Sequence, residues 1–468
     1  MASPKLTIVK RRTFLQHSAL STTALLPWNT QPHEFNWGEE PQKAISPVDL
    51  PDGVEILNPC GRVPVSFIID DSTALVNMAH FGIPQFKEVF PEQYLQDWRK
   101  LPREIPDSFV LEFLEWCDAH GVKGKYSMVP YPACTGWLHR LIPGWTSAEL
   151  KESIRIVREL AQPNWDIHPE MISHTQVIDI RTGLPFPNAT PEYMENWDWS
   201  QTKSSDELGE YIAYALNVLK EAGLYCEGVT TPGGFAHRNV PNLAKGTRDA
   251  VREVFGADVA HFFRDVITDP RKSVVPQIFH AEGLETDHPN CSVHIIACTG
   301  DWFGGWDGLT PGDPDKFITA DLSQGRMVEV IEQEEPAIFI CHWPGIYYNG
   351  EKLGFNIFKT VVNRLHEKYD NLVWMKLSEI ARYWAAKSFT RVELDKKKVQ
   401  FHAPFATDQF TLRLPFKASS PELLFGQQQI SLKKVDSEKS LDRNTFLPQG
   451  KQTIVCIDLP KGKSELIG

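Results

Sequence analysis

Two aspartates stand side by side in "VSFIIDDS", directly after the apolar residues Val65, Phe67, Ile68 and Ile69. Such a run suits a strand buried on both faces, as in a parallel sheet covered by helices. Neighbouring carboxylates repel, so Asp70 and Asp71 need solvent, hydrogen-bond donors or a cation. A solvated Asp-Asp-Ser turn meets that need, and so does a metal site. Further along, other apolar runs also end in groups that ligate metals or move protons: His168 after "WDI", Asp301 after "SVHIIACTG" and His342 after "AIFIC". In a parallel α/β barrel the carboxyl ends of the strands face one site, where such residues converge.

The elements that must position these groups follow from periodicity. "DSFVLEFLEWCDAHGVKGKYSMVPYP" reads as a helix with Phe109, Phe113, Leu114 and Trp116 on its apolar side, ended at Gly121 and followed by a strand through Tyr126 and Met128. "TSAELKESIRIVREL" reads as a helix capped by Thr146 or Ser147, ahead of the strand-like "WDIHPEMISH". Helix "SSDELGEYIAYALNVLKEAG" precedes "LYCEGVTTPGG", and "SVHIIACTGDW", "PAIFICHW" and "LVWMKLSEIARYW" follow. This alternation predicts a parallel sheet, and six to eight strands over residues 61–387 suit a barrel. From residue 388 to 468 the pattern changes to alternating apolar and polar residues with turns between, as in "RVELDKKKVQFHAPFATDQFTLRL", which predicts a small β-rich domain.

Composition bounds the function. The chain has 468 residues, 42% hydrophobic and 23% charged, which is ordinary for a globular protein and long enough for two domains. A net charge of −12 argues against a nucleic-acid backbone as partner. Fourteen tryptophans supply flat faces for sugar rings and suit large cores equally well. The eight cysteines include no C-x-x-C pair, which excludes a zinc ribbon. "KRRTFLQHSALSTTALLPW", with Arg11, Arg12, Phe14 and Leu15, resembles a twin-arginine export signal within residues 1–30, so a periplasmic or secreted location is expected. Its apolar stretch is too short and polar to anchor in a membrane, and a Pro-rich linker is expected over residues 31–60.

Taken together, the strand-end residues resemble those of the polysaccharide deacetylases, whose members have a distorted barrel of about seven strands and use a divalent metal to remove N- or O-acetyl groups from glycans. "FIIDDS" is similar to the family's first motif, Thr-Phe-Asp-Asp-Gly, which implies Asp70 as general base and Asp71 as metal ligand. "EMISHT" matches the second motif in part: His174 fits its first histidine, Ile178 stands where its second would be, and His168 is the substitute nitrogen. "TTPGG" is similar to the third motif, with Pro232 and Gly234 kept and Thr230 in place of the arginine that orients the base. "CTGDW" resembles the fourth and puts Asp301 and Trp302 at the rim; "IFICHW" resembles the fifth and makes His342 the general acid, beside Trp343. The resemblance implies a carbohydrate substrate, with Pro232, Gly234, Trp302 and Trp343 lining its site, and a divalent metal, Zn2+ or else Co2+, Ni2+ or Mn2+. Two other readings stay open: a glycan-binding or scaffold protein on a decayed barrel, and a glycoside hydrolase or lyase using Asp71 with Asp301, which metal dependence would distinguish.

Overall fold

The computed structural model describes residues 48–468; the twin-arginine reading and most of the expected linker lie outside this range. Nine strands build the larger part: β1 (Val63–Asp70), β2 (Gly124–Ser127), β3 (Trp165–His168), β4 (Gly228–Thr230), β5 (Val259–Val266), β6 (Gln277–Glu282), β7 (Asn290–Ala297), β8 (Ala337–His342) and β9 (Leu372–Trp374). Every residue of β1 is buried, as its apolar run requires. Val65, Phe67 and Ile69 face one core, where Phe67 stacks on Phe358 at 4.4 Å. Ile68 faces a second core, and strand alternation puts Ser66 and Asp70 on that same face.

The helices between strands carry the expected signals. The helix Asp107–Ala119 buries Phe109, Phe113 and Leu114 and leaves Trp116 half-buried. Thr146 caps the helix Ser147–Ile156 through a capping box with Glu149, and Ser204 does the same for Ser205–Glu221 with Glu207. Among the described residues no helix is long and apolar enough to cross a membrane.

The strands form a mixed α/β fold with parallel ladders, and they do not close into a continuous barrel. One sheet runs in the order β8, β1, β2, β3, all parallel, with β9 also paired to β1. The other runs β4, β5, β7, β6, parallel except for β6. At one seam the sheets meet only through an isolated bridge between Glu170 and Thr230, where the Thr230 amide donates to the Pro169 carbonyl at 3.0 Å. Pro169 has no N–H to return, so the ladder stops there. At the other seam Cys298 donates to Ile338 at 2.8 Å, and the Thr299 hydroxyl takes the place of a backbone acceptor for Ile340 at 3.1 Å.

Residues after 390 form two largely antiparallel sheets. One of them contains Thr407–Leu414 and recruits the short strand Glu55–Ile56 from the stretch expected to be linker. The helix Leu377–Phe389 is apolar on the side that packs into the same core as both sheets and β5 and β7.

Candidate metal centre

Parallel pairing of β1 with β8 puts Asp70 beside His342, in register at the carboxyl ends of both strands. Asp70 is buried, and its carboxylate accepts a hydrogen bond from the Nζ of Lys125, a wholly buried lysine on β2. Lys125 also donates to Ser127 Oγ at 2.8 Å and to the Ile69 carbonyl at 3.3 Å, so its ammonium is fixed. Burial pushes the Asp70 carboxyl up and Glu170 adds to this, while Lys125 and His342 oppose it, leaving it at about 6. Lys125 thus supplies the cation that Thr230 cannot.

Asp71 turns the chain at the end of β1 with a left-handed φ of 58°. Its Oδ1 lies 2.7 Å from His174 Nε2, and Glu170 Oε1 lies 3.2 Å from that same nitrogen. The second Glu170 oxygen, Oε2, accepts the Asp71 backbone N–H at 2.9 Å, which locks the two acidic residues together. Asp71, Glu170 and His174 form one buried group able to hold a cation. Asp71 Oδ1, Glu170 Oε1 and His174 Nε2 thus bring two buried oxygens and a nitrogen to one point. That is how ligand atoms around an ion are arranged, and two hard oxygens with one imidazole suit Zn2+, Mn2+, Fe2+ or Co2+. Burial works against a charged His174, but Asp71 and Glu170 outweigh it and raise its pKa well above the ordinary range.

The loop presenting His174 is held from below. Met171 and His174 both have positive φ, 51° and 65°, conformations that persist only where the surroundings enforce them. Glu195 provides the enforcement: its carboxylate accepts the backbone N–H of Ile172 at 3.1 Å, of Ser173 at 3.1 Å and of His174 at 2.6 Å, and Tyr211 donates its hydroxyl to the same group. Burial raises the Glu195 carboxyl to about 7 against the pull of those donors.

His342 is buried opposite, with Nδ1 3.0 Å from Asp301 Oδ2. Burial lowers its pKa, but Asp301 outweighs this and leaves it raised to about 9. Asp301 therefore orients and charges His342.

Four expected residues are placed differently. His168 does not join Asp71 and His174. Its Nε2 meets His261 Nε2 at 2.8 Å, and Asp166 completes a separate buried group. Strand alternation explains this, because His168 shares the face of Asp166 on β3, whereas the chain beyond Pro169 carries Glu170 to the Asp71 cluster. Burial keeps both His168 and His261 well below the ordinary histidine range, the latter at about 3. Trp343 is completely buried against Phe109 and Phe113, at 5.1 and 5.3 Å, and presents no face to a ligand, since it points away from its neighbour His342. Pro232 is buried, and Gly234 is a backbone junction whose N–H donates to the Asn196 carbonyl at 2.8 Å; a Cβ there would meet that carbonyl at 2.9 Å. Trp302 stays half-exposed, edge-on to Phe317 at 5.3 Å. The sequence reading missed Lys125, Glu170 and Glu195; only Glu170 carried a visible signal, its spacing of four residues from His174.

No protein-family model matches the chain, and no curated protein matches it. Among solved structures the chain is similar to an assigned polysaccharide deacetylase from Mycobacterium smegmatis, 15% identical over 75% of this chain and 97% of that one, with a TM-score of 0.41. It is similar to a second assigned polysaccharide deacetylase, from Pseudomonas aeruginosa PAO1, at 13% identity over 69% and 91% of the two chains and a TM-score of 0.37. A 4-alpha-glucanotransferase from Thermococcus litoralis is similar at 13% identity, 68% and 40% coverage and a TM-score of 0.34.

Proposed function

We propose that this protein is a metal-dependent hydrolase that removes acetyl groups from a carbohydrate. The observation that carries the reading is the meeting of three groups at the carboxyl ends of β1 and β8: the Asp71–Glu170–His174 cluster, the Asp70–Lys125 pair and the Asp301–His342 pair. Hydrolysis of an ester or amide needs a nucleophilic water, a base for its proton and an acid for the leaving group. A divalent ion held by Asp71, Glu170 and His174 supplies Lewis acidity toward the acyl oxygen and the water. Asp70, ionised at neutral pH and oriented by Lys125, takes the proton from water as the oxygen attacks the acyl carbon. His342, kept protonated by Asp301, gives a proton to the departing alkoxide or amine, so that acetate and a free hydroxyl or amino group are released. The acetylated glycan as substrate follows from the resemblance of the strand-end motifs, and of the two expected tryptophans Trp302 is the one with a partly exposed face.

The test is acetate release from a panel of O- and N-acetylated sugars by protein treated with chelator and then reloaded with metal. Release that stops with chelator and returns with Zn2+ or Mn2+ supports the reading. Glycosidic cleavage unaffected by chelator would favour a glycoside hydrolase, and binding without any turnover a glycan-binding protein.

A further inference from the structure

We propose that Asp166, His168 and His261 form a second site, for a divalent transition-metal ion such as Zn2+, buried at the seam between the two sheets and separate from the Asp71 cluster. Three neighbouring strands supply its parts. Asp166 and His168 alternate on one face of β3, His261 comes from β5, and β4 between them contributes Gly228, which pairs in register with His261. The two imidazoles reach across β4 and turn their Nε2 atoms toward each other at 2.8 Å, with Asp166 Oδ2 3.8 Å from His261 Nε2.

Gly228 is the permissive residue. A Cβ there would lie 2.4 Å from His261 Nε2 and 2.6 Å from His168 Nε2, so any side chain would fill the space that the two nitrogens face. The outer contacts are those of ligands held in place. His168 Nδ1 lies 3.2 Å from Thr230 Oγ1, and Asp166 is fixed by the Ser378 amide at 2.6 Å and the Ser378 hydroxyl at 2.8 Å, at the start of the helix Leu377–Phe389. Without an ion, one Nε2 must donate to the other, so only one of the two facing lone pairs is used. With one, both lone pairs are used, after the nitrogens part by about half an ångström to reach tetrahedral spacing. Both histidines are completely buried, which leaves no room for a substrate, so the ion's role is to tie β3, β5 and that helix together.

The test uses the protein carrying Asp71→Ala and His174→Ala, which removes the first cluster and leaves Asp166, His168 and His261 unchanged. After loading with Zn2+ and gel filtration, we expect one zinc per chain by mass spectrometry and two imidazole nitrogens at about 2.0 Å by X-ray absorption. His261→Asn added to this background should reduce zinc to none; if that variant does not fold, the count and the absorption spectrum decide alone. A folded double variant that holds no zinc, or one whose zinc has no imidazole ligands, would leave a plain hydrogen-bonded histidine pair and overturn the proposal.

Discussion

Replacing Lys125 by Met tests the assignment of Asp70 as base. The substitution keeps most of the length of the side chain and removes the ammonium that is hydrogen-bonded to the carboxylate. Asp70 already titrates at about 6 because burial outweighs Lys125. An adjacent opposite charge lowers a carboxyl by about 1–3 pH units, so its loss should move the acid limb of activity up by about that much. The sign follows from the role: a base must be unprotonated, so activity rises with pH through its pKa. At pH 7 a carboxyl titrating at 6 is about nine-tenths ionised; one titrating between 7 and 9 is about one-half to one-hundredth ionised, giving an expected loss of about 2- to 100-fold. The loss should recover as pH rises toward 9, where His342 begins to lose its proton. A bound dication lowers the limb in both proteins, so the difference between them is the quantity to read. The assay is kcat/KM for acetyl release against pH, with thermal unfolding alongside, since an unpaired buried charge costs stability. A folded variant whose acid limb stays where it was would refute the role of the pair.

Other outcomes are expected from the same geometry. His342→Ala should lower turnover by about 10²–10⁴-fold with metal content unchanged, measured by acetate release and mass spectrometry, because the proposed reaction uses it as proton donor and not as a ligand. Glu195→Ala should weaken metal binding at the Asp71 cluster by about 10- to 100-fold in a competition titration, since it frees the three backbone amides that fix the His174 loop. Changing Arg11 and Arg12 to Lys should keep the folded protein in the cytoplasm by fractionation, as a receptor-read address requires.

The sequence shows the strand ends plainly because a buried parallel strand is a continuous apolar run, and Asp70, Asp71 and His342 each terminate one. Helix starts at Thr146 and Ser204 are equally plain, since a capping box is local. What depends on contacts between distant segments is not visible. A buried lysine such as Lys125 has no local signature and lysines are mostly exposed, so its pairing with Asp70 appears only when β2 lies beside β1. The side on which a residue emerges decides the fate of His168 and Trp343, and a shift of one position reverses it. Barrel closure likewise turns on two seams, where Pro169 and the Thr299 side chain interrupt a ladder that strand periodicity alone would continue. The strand Glu55–Ile56 is too short to stand out from the proline-rich stretch around it.

The central claim, that Asp71, Glu170 and His174 hold a metal, is tested most directly by an anomalous difference map collected at the zinc edge from crystals of the zinc-loaded protein. The account predicts a peak at about 2.0–2.2 Å from Asp71 Oδ1, Glu170 Oε1 and His174 Nε2. A map without density there, with His174 still against the two carboxylates, would contradict it.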